Sequence, residues 1–367
     1  MTNASAPTFA RNDSMKFFRT LNSRVNSYFK DNNIEKTGNW KLHLKSIILF
    51  TLFTAPYIII ISTPKIHFGL FILLSMIIGL GMAGLGMNVM HDGNHGSYSN
   101  KAWVNKIMGG SIYILAGNVY NWQVQHNVLH HTYTNIPGHD EDLDAGRVIR
   151  FTKEAKWESF HAFQHYYSIF LYGLLTFNWC FTTDFTQMRR YLERDLSYGE
   201  VKSSKQLWTS LWISKIIYFS TWIVAPMLFG VLWWKVLIGF FAMHYVAGLI
   251  LSIVFQLAHI TDDTTNPHPS ETNEMDNTWA IHQLFTTVNF APRSWFVNWY
   301  TGGLNHQVEH HLFPHISHIH YGKLAEIVKE TAQECDLPYF EYETMTSAVI
   351  AHFKHLRDLG RKPLMVA

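Results

Sequence analysis

Gly302-Gly303-Leu304-Asn305-His306-Gln307-Val308-Glu309-His310-His311-Leu312-Phe313-Pro314 decides how the rest of the chain is read. On a helix, residues three and four apart share a face, so Gln307 lies beside His310 and His311. Alone, two imidazoles on a helix are most simply a solvated surface. Two similar clusters upstream change that reading. His91 and His95 lie four apart in HDGNH, and His126, His130 and His131 make up HNVLHH. Three clusters from distant parts of one chain predict a single metal centre assembled by the fold.

Composition narrows the metal. The 367 residues hold 22 histidines and two cysteines, so imidazole is abundant and thiolate scarce. That supply favours iron, copper or zinc over magnesium or calcium. Cys180 and Cys335 build neither a disulfide framework nor a thiolate metal site. Hydrophobic residues make up 48% and charged residues only 15%, which points to a membrane. A net charge of +2 gives no case for nucleic acid. Residues 1–43 are polar and mixed, with no secretory signal expected.

Four apolar stretches are long enough to span a bilayer: residues 46–62, 66–90, 207–230 and 236–258. They pair into two hairpins with tight turns near Lys65 and Lys235. The glycines of the second stretch (Gly79, Gly81, Gly84 and Gly86) predict close helix packing. The apolar run 107–119 is too short to cross a core about 30 Å thick, so it either dips in and returns or packs within the protein. This leaves His126 on the same side as His91. Residues 168–182 read as interfacial. The segment 17–29 is expected to be a surface helix on the bilayer. Lys215, inside the third span, is expected to snorkel to the interface. His244 sits mid-span and either lines a cavity or is a hydrogen-bonded structural residue. Eight basic residues before position 46, against one lysine in each hairpin turn, place both termini and every histidine cluster in the cytoplasm.

The fold class expected is therefore an all-α integral membrane protein: four transmembrane helices in two hairpins, with a cytosolic helical cap carrying the metal site. The expected division is a cytosolic segment 1–43, a membrane domain 44–320 with the histidine clusters, and C-terminal cytosolic helices in 321–367. Leu324, Ile327 and Val328 mark the apolar face of the first C-terminal helix.

The ligands expected are His91, His95, His126, His130, His131, His259, His310 and His311, with Gln307 as a further position. These are too many for one ion and suit two. Asp92, Asp262, Asp263, Asn305 and Glu309 are the acidic and amide groups expected to support the imidazoles from behind. His306, His315, His318 and His320 are read as non-ligands. His139, His161, His165, His268 and His282 lack partner spacing and are assigned to surface or packing.

HDGNH, HNVLHH and NHQVEHHLFP, with membrane hairpins among them, resemble the membrane fatty acid desaturase family from about Phe68 to Tyr321. Gln307 at the head of the third box, with QLFTTVNF and NWYTGGLN around it, resembles the front-end branch. The resemblance implies two iron ions held mainly by histidines, with His259 a ligand from outside the boxes and O2 as co-substrate. It implies insertion of a double bond into a fatty acyl chain carried by CoA or by a lipid. Many front-end members carry a fused cytochrome b5 domain with an HPGG motif, absent from these residues. A separate donor is expected, such as a ferredoxin or a cytochrome b5 with its reductase. Two other readings differ in outcome. A di-iron hydroxylase or ketolase of the same superfamily would share the oxidant. A membrane metal transporter would place its ligands mid-membrane rather than after span ends.

Overall fold

The computed structural model describes residues 6–11, 16–200 and 202–362. Among them the backbone is mostly helical, with turns and irregular segments between the helices. The strands are two parallel pairs of two residues each, Thr8–Phe9 with Glu274–Met275 and Asn289–Phe290 with Glu341–Tyr342. The chain forms two compact units. One comprises Met1–Thr37, His126–Ser168 and Val254–Ala367, and the other comprises Gly38–Gln125 and Ile169–Ile253. Each unit is built from stretches far apart in sequence.

In the first unit, the helix Phe17–Asp31 presents Phe17, Leu21, Val25 and Phe29, spaced four apart and all buried. They share a core with Leu324, Val328 and Ala332 of the helix Tyr321–Glu334. Ala280, Ile281 and Leu284 join it, as do Val308 and Leu312. Each fully buried Leu, Val or Phe contributes about 1.5–3 kcal/mol. The helix Phe17–Asp31, expected to lie on lipid, thus buries its apolar face in protein. Its amphipathic spacing does not say which apolar surface it meets.

The second unit contains most of the apolar helices. Four helices are long and apolar enough to cross a membrane: Trp40–Ser62, Phe68–His95, Ser204–Leu228 and Trp233–His259. With them the chain is an integral membrane protein. The outward side chains fit this: Ile47, Ile216 and Leu228 are 63%, 62% and 81% exposed. Large apolar side chains so exposed suit lipid. The close packing expected of the glycines is present. A Cβ on Gly79 would lie 2.5 Å from the Met243 carbonyl, and one on Gly81 would lie 2.7 Å from the Phe53 nitrogen. Ser203 caps Ser204–Phe219 through a capping box with Gln206. Gly230, at φ 91°, makes the turn before Trp233. The run 107–119 is not among the helices long enough to cross: Ala102–Gly109 gives way to a 3-10 turn, Gly110–Leu115.

Lys215 does not snorkel. It is 3% exposed, and its Nζ donates to Asp184 Oδ2 at 2.6 Å, to the Trp179 carbonyl at 2.9 Å and to the Ala116 carbonyl. All three ammonium protons are used inside the protein, so nothing draws the side chain outward. Asn121 Nδ2 donates to the Asp184 carbonyl at 2.7 Å. His244 is a hydrogen-bonded structural residue, with Nε2 2.8 Å from the Tyr218 hydroxyl and Nδ1 3.0 Å from Thr176 Oγ1.

Candidate metal centre

The helix Gln307–Leu312 turns Val308 and Leu312 into the core and carries Gln307, His310 and His311, all buried. Its approach needs the two glycines before it. Gly302 and Gly303 adopt φ of 63° and 68°, a region that favours glycine. A Cβ on Gly303 would also press to 2.9 Å from the Tyr321 ring. Asn289 Oδ1 accepts from the Val308 N–H at 3.0 Å, satisfying a donor at the helix start.

Three imidazoles from separate segments meet in the first unit. His130 closes the π-helical stretch Gln123–His130, His259 ends the helix Trp233–His259, and His311 comes from the third box. Each offers a ring nitrogen within 4.8 Å of the others. The Nδ1 side of each is occupied. His130 Nδ1 lies 3.0 Å from Asp140 Oδ2, His259 Nδ1 3.3 Å from the Thr286 carbonyl, and His311 Nδ1 2.9 Å from Gln283 Oε1. A proton donated from Nδ1 leaves the lone pair on Nε2. The Nε2 atoms of all three are buried and have no hydrogen-bond partner. A buried polar atom left unsatisfied costs about 1–3 kcal/mol. Three of them, close together and each fixed in the metal-binding tautomer, fit a bound cation.

Electrostatics agree with that fit. Burial and the neighbouring imidazoles push His311 well below the usual histidine range, so it is neutral and able to bind metal. Burial works against a charge on His130 too. The charge of Asp140, its hydrogen bond and the charge of Asp142 outweigh burial and raise this one pKa. The position is built to stabilise positive charge.

A second group, His131, His310 and His311, likewise brings ring nitrogens within 4.8 Å of one another. His311 has only Nε2 left, so the two groups mark neighbouring positions. His126 Nε2 lies 3.2 Å from His131 Nε2, and its ring stacks on His310 with centroids 5.7 Å apart. His126 lies in the π-helical stretch and His131 opens the short helix that follows it, so the change of winding falls between the two rings. His310 Nδ1 is 3.2 Å from the Tyr321 hydroxyl. Gln307 is buried, and neither its amide oxygen nor its nitrogen has a hydrogen-bond partner.

In the second unit, His91 and His95 form a pair with ring centroids 4.6 Å apart, both edge-on to Trp122. The π-helical turn Gly86–Met90 precedes them. Asn88 Oδ1 accepts from buried Lys45 at 2.9 Å within that turn. Asn94 ties the short helix His91–His95 down through the Met90 and Gly109 carbonyls.

The supporting groups read from sequence land in different places. Asp92 is buried beside His91, and its carbonyl accepts from the Ser97 N–H. Glu309 is buried and accepts from Asn289 and Tyr339. Burial pushes its carboxyl up to about 7. Asn305 latches the loop before the third box to the Phe290 carbonyl. Asp262 is exposed and held by Lys354 and His355. Asp263 is likewise exposed. The structure does not bring these two to the imidazole group. The groups that do hold the imidazoles are Asp140, Gln283 and the Thr286 carbonyl. Sequence spacing missed them, although Asp140 stood in a visible acidic run and Gln283 in QLFTTVNF. His282, read as packing, is buried with Nε2 2.8 Å from the Thr134 carbonyl.

Comparison with known proteins adds an independent line. The fatty acid desaturase family matches residues 67–343. The sn-1 linoleoyl-lipid 6-desaturase of Arthrospira platensis is 33% identical, covering 98% of this chain and 96% of its own length. The acyl-lipid (8-3)-desaturase of Physcomitrium patens is 35% identical, covering 96% of this chain and 73% of its own. The sn-1 linoleoyl-lipid 6-desaturase of Synechocystis sp. is 32% identical, covering 94% and 96%.

Proposed function

The chain belongs to the fatty acid desaturase family, and from that premise we propose a specific activity: front-end desaturation of an acyl chain carried on a membrane lipid, at two irons held by its histidines. It is an oxidoreductase, a fatty acid desaturase. The acyl-lipid carrier and front-end position rest on the names of the relatives and on Gln307 at the head of the third box. The observation that carries the metal assignment is the group His130, His259 and His311, with Nδ1 engaged and Nε2 unpartnered in each. His126, His131 and His310 are proposed as further ligands, as are His91 and His95. Gln307 is proposed to lie against the metal as a weak or water-bridged amide.

Bound iron supplies, with O2, an oxidant strong enough to take two hydrogens from adjacent methylenes, which no side chain can do. The balance is one CH2–CH2 unit, O2, two electrons and two protons, giving CH=CH and two waters. Electrons come from a ferredoxin or a cytochrome b5 with its reductase. The protein's part is placement and exclusion of water. Imidazoles locked by Asp140, Gln283 and the Thr286 carbonyl hold their nitrogens without reorganisation. Thr134 braces the same corner, donating to Gln283 Oε1 at 2.9 Å. The neutral ligands leave net positive charge at the centre, which suits O2 chemistry and reduction. In the second unit, a cavity of about 490 Å³ walled by Phe53, Ile114, Ile213, Ile217, Tyr218 and Trp222 is apolar enough for hydrocarbon. The basic N-terminal segment supports cytoplasmic termini and a cytoplasmic centre.

The test is the lipid profile of a host with and without the protein, with double bonds located along each chain. The account expects one new cis double bond between an existing one and the carboxyl end, on glycerolipid. A product heavier by one oxygen would instead favour the hydroxylase reading.

A further inference from the structure

We infer that Asp140 is a positioning residue that charges His130 from behind and, through Asn135, ties it to His259. The inference rests on the metal reading above. Asp140 comes from the loop after the second box and is 2% exposed. Its Oδ2 faces His130 Nδ1 at 3.0 Å and accepts the Asn135 N–H at 2.9 Å. Its Oδ1 accepts the Asp142 N–H at 3.0 Å, which fixes the carboxylate from the other end. Asn135 sits at φ 58°, a left-handed bend that folds the loop back on the imidazole. The Asn135 side chain then donates to the His259 carbonyl at 2.8 Å. One carboxylate thereby fixes the ring of one ligand and, through one amide, the backbone of another.

The carboxylate does more than orient. Gln283 and the Thr286 carbonyl give His311 and His259 neutral acceptors, whereas His130 faces a full negative charge. The Asp142 Oδ2 atom lies 3.2 Å from the same Nδ1. Asp140 has no lysine or arginine partner among the described residues. A buried carboxylate without a cation is costly. A metal ion on the far side of the imidazole supplies the missing positive charge, and the carboxylate in turn makes that imidazole the stronger donor. His130 is thus the most strongly donating of the three ligands, set apart by its partner rather than by its own position.

The experiment uses the full chain in detergent, stripped of metal, with cobalt(II) as the probe and a competing chelator to read affinity. Asp140→Asn keeps an oxygen for the His130 and Asn135 bonds, removes the charge and gives up the bond from the Asp142 N–H. The expected result is cobalt binding about 10–100-fold weaker, with a shifted visible spectrum. Asp140→Glu should recover part of the affinity, which a role in loop folding alone would not give. Asp262→Asn, at an exposed pair, should leave affinity unchanged. Wild-type affinity and spectrum in Asp140→Asn, with weak binding in His130→Ala, would overturn the inference and leave the metal reading standing. Wild-type affinity in His130→Ala would overturn both. Should Asp140→Asn not accumulate, Asp142→Asn takes its place. A smaller weakening there supports the charge effect, and none overturns it.

Discussion

The proposed ligands are legible one residue at a time because their chemistry and spacing are both unusual. His130, His131, His310 and His311 could be named from the chain alone. Their supports could not, because hydrogen bonds to Nδ1 come from wherever the fold brings an acceptor. Asp140 stands in an acidic run with Glu141, Asp142 and Asp144, and nothing in the sequence sets it above Asp262. Only burial separates them, at 2% for Asp140 against an exposed Asp262 whose charge Lys354 and His355 already answer. Gln307 carries the sharpest prediction at this scale. An amide binds metal more weakly than an imidazole, so Gln307→Ala should keep its iron and lose most of its activity. Gln307→His should at least keep iron. Iron per chain and product formed are the two readings. Full activity in Gln307→Ala would remove the residue from the centre.

At the scale of elements, the spans were visible as apolar stretches, and their interruptions were not. Nothing in HNVLHH announces a π-helical stretch, yet the winding changes between His126 and His131. Lys215 misled for a related reason. Sequence shows a lysine in a span but not the acceptors the fold brings to it, such as the carbonyls of Ala116 and Trp179. Removing one partner of a buried ion pair costs about 3–5 kcal/mol, because the other charge stays buried. Lys215→Met should therefore lower thermal stability sharply, and Lys215→Met with Asp184→Asn should recover part of the loss. Additive losses would show that the two do not act as a pair. Gly93 allows a second test. A Cβ there would meet the Gly109 nitrogen at 2.3 Å, so Gly93→Ala must push the helix His91–His95 off its neighbour. A cost of about 1–3 kcal/mol is expected in unfolding, with weaker metal binding. Wild-type stability and binding would contradict the packing.

For the whole molecule, the sequence predicted a membrane protein with cytoplasmic chemistry. It did not show which distant stretches share one compact unit, because neighbours in a core need not be neighbours in a chain. The topology remains directly measurable. Cysteine labels near Lys65 and Lys235 should react from outside the cell, and labels near Lys202 should not. Reaction of Lys202 positions from outside would break the cytoplasmic assignment. The central claim is that the buried imidazoles hold the iron that removes hydrogen from an acyl chain. The most direct measurement is iron per chain alongside desaturated lipid per chain, in wild type and in His130→Ala, His259→Ala and His311→Ala purified in parallel. The account predicts two irons and a product two hydrogens lighter in wild type, with iron and product lost together in all three variants. Undiminished product from any of the three would contradict it.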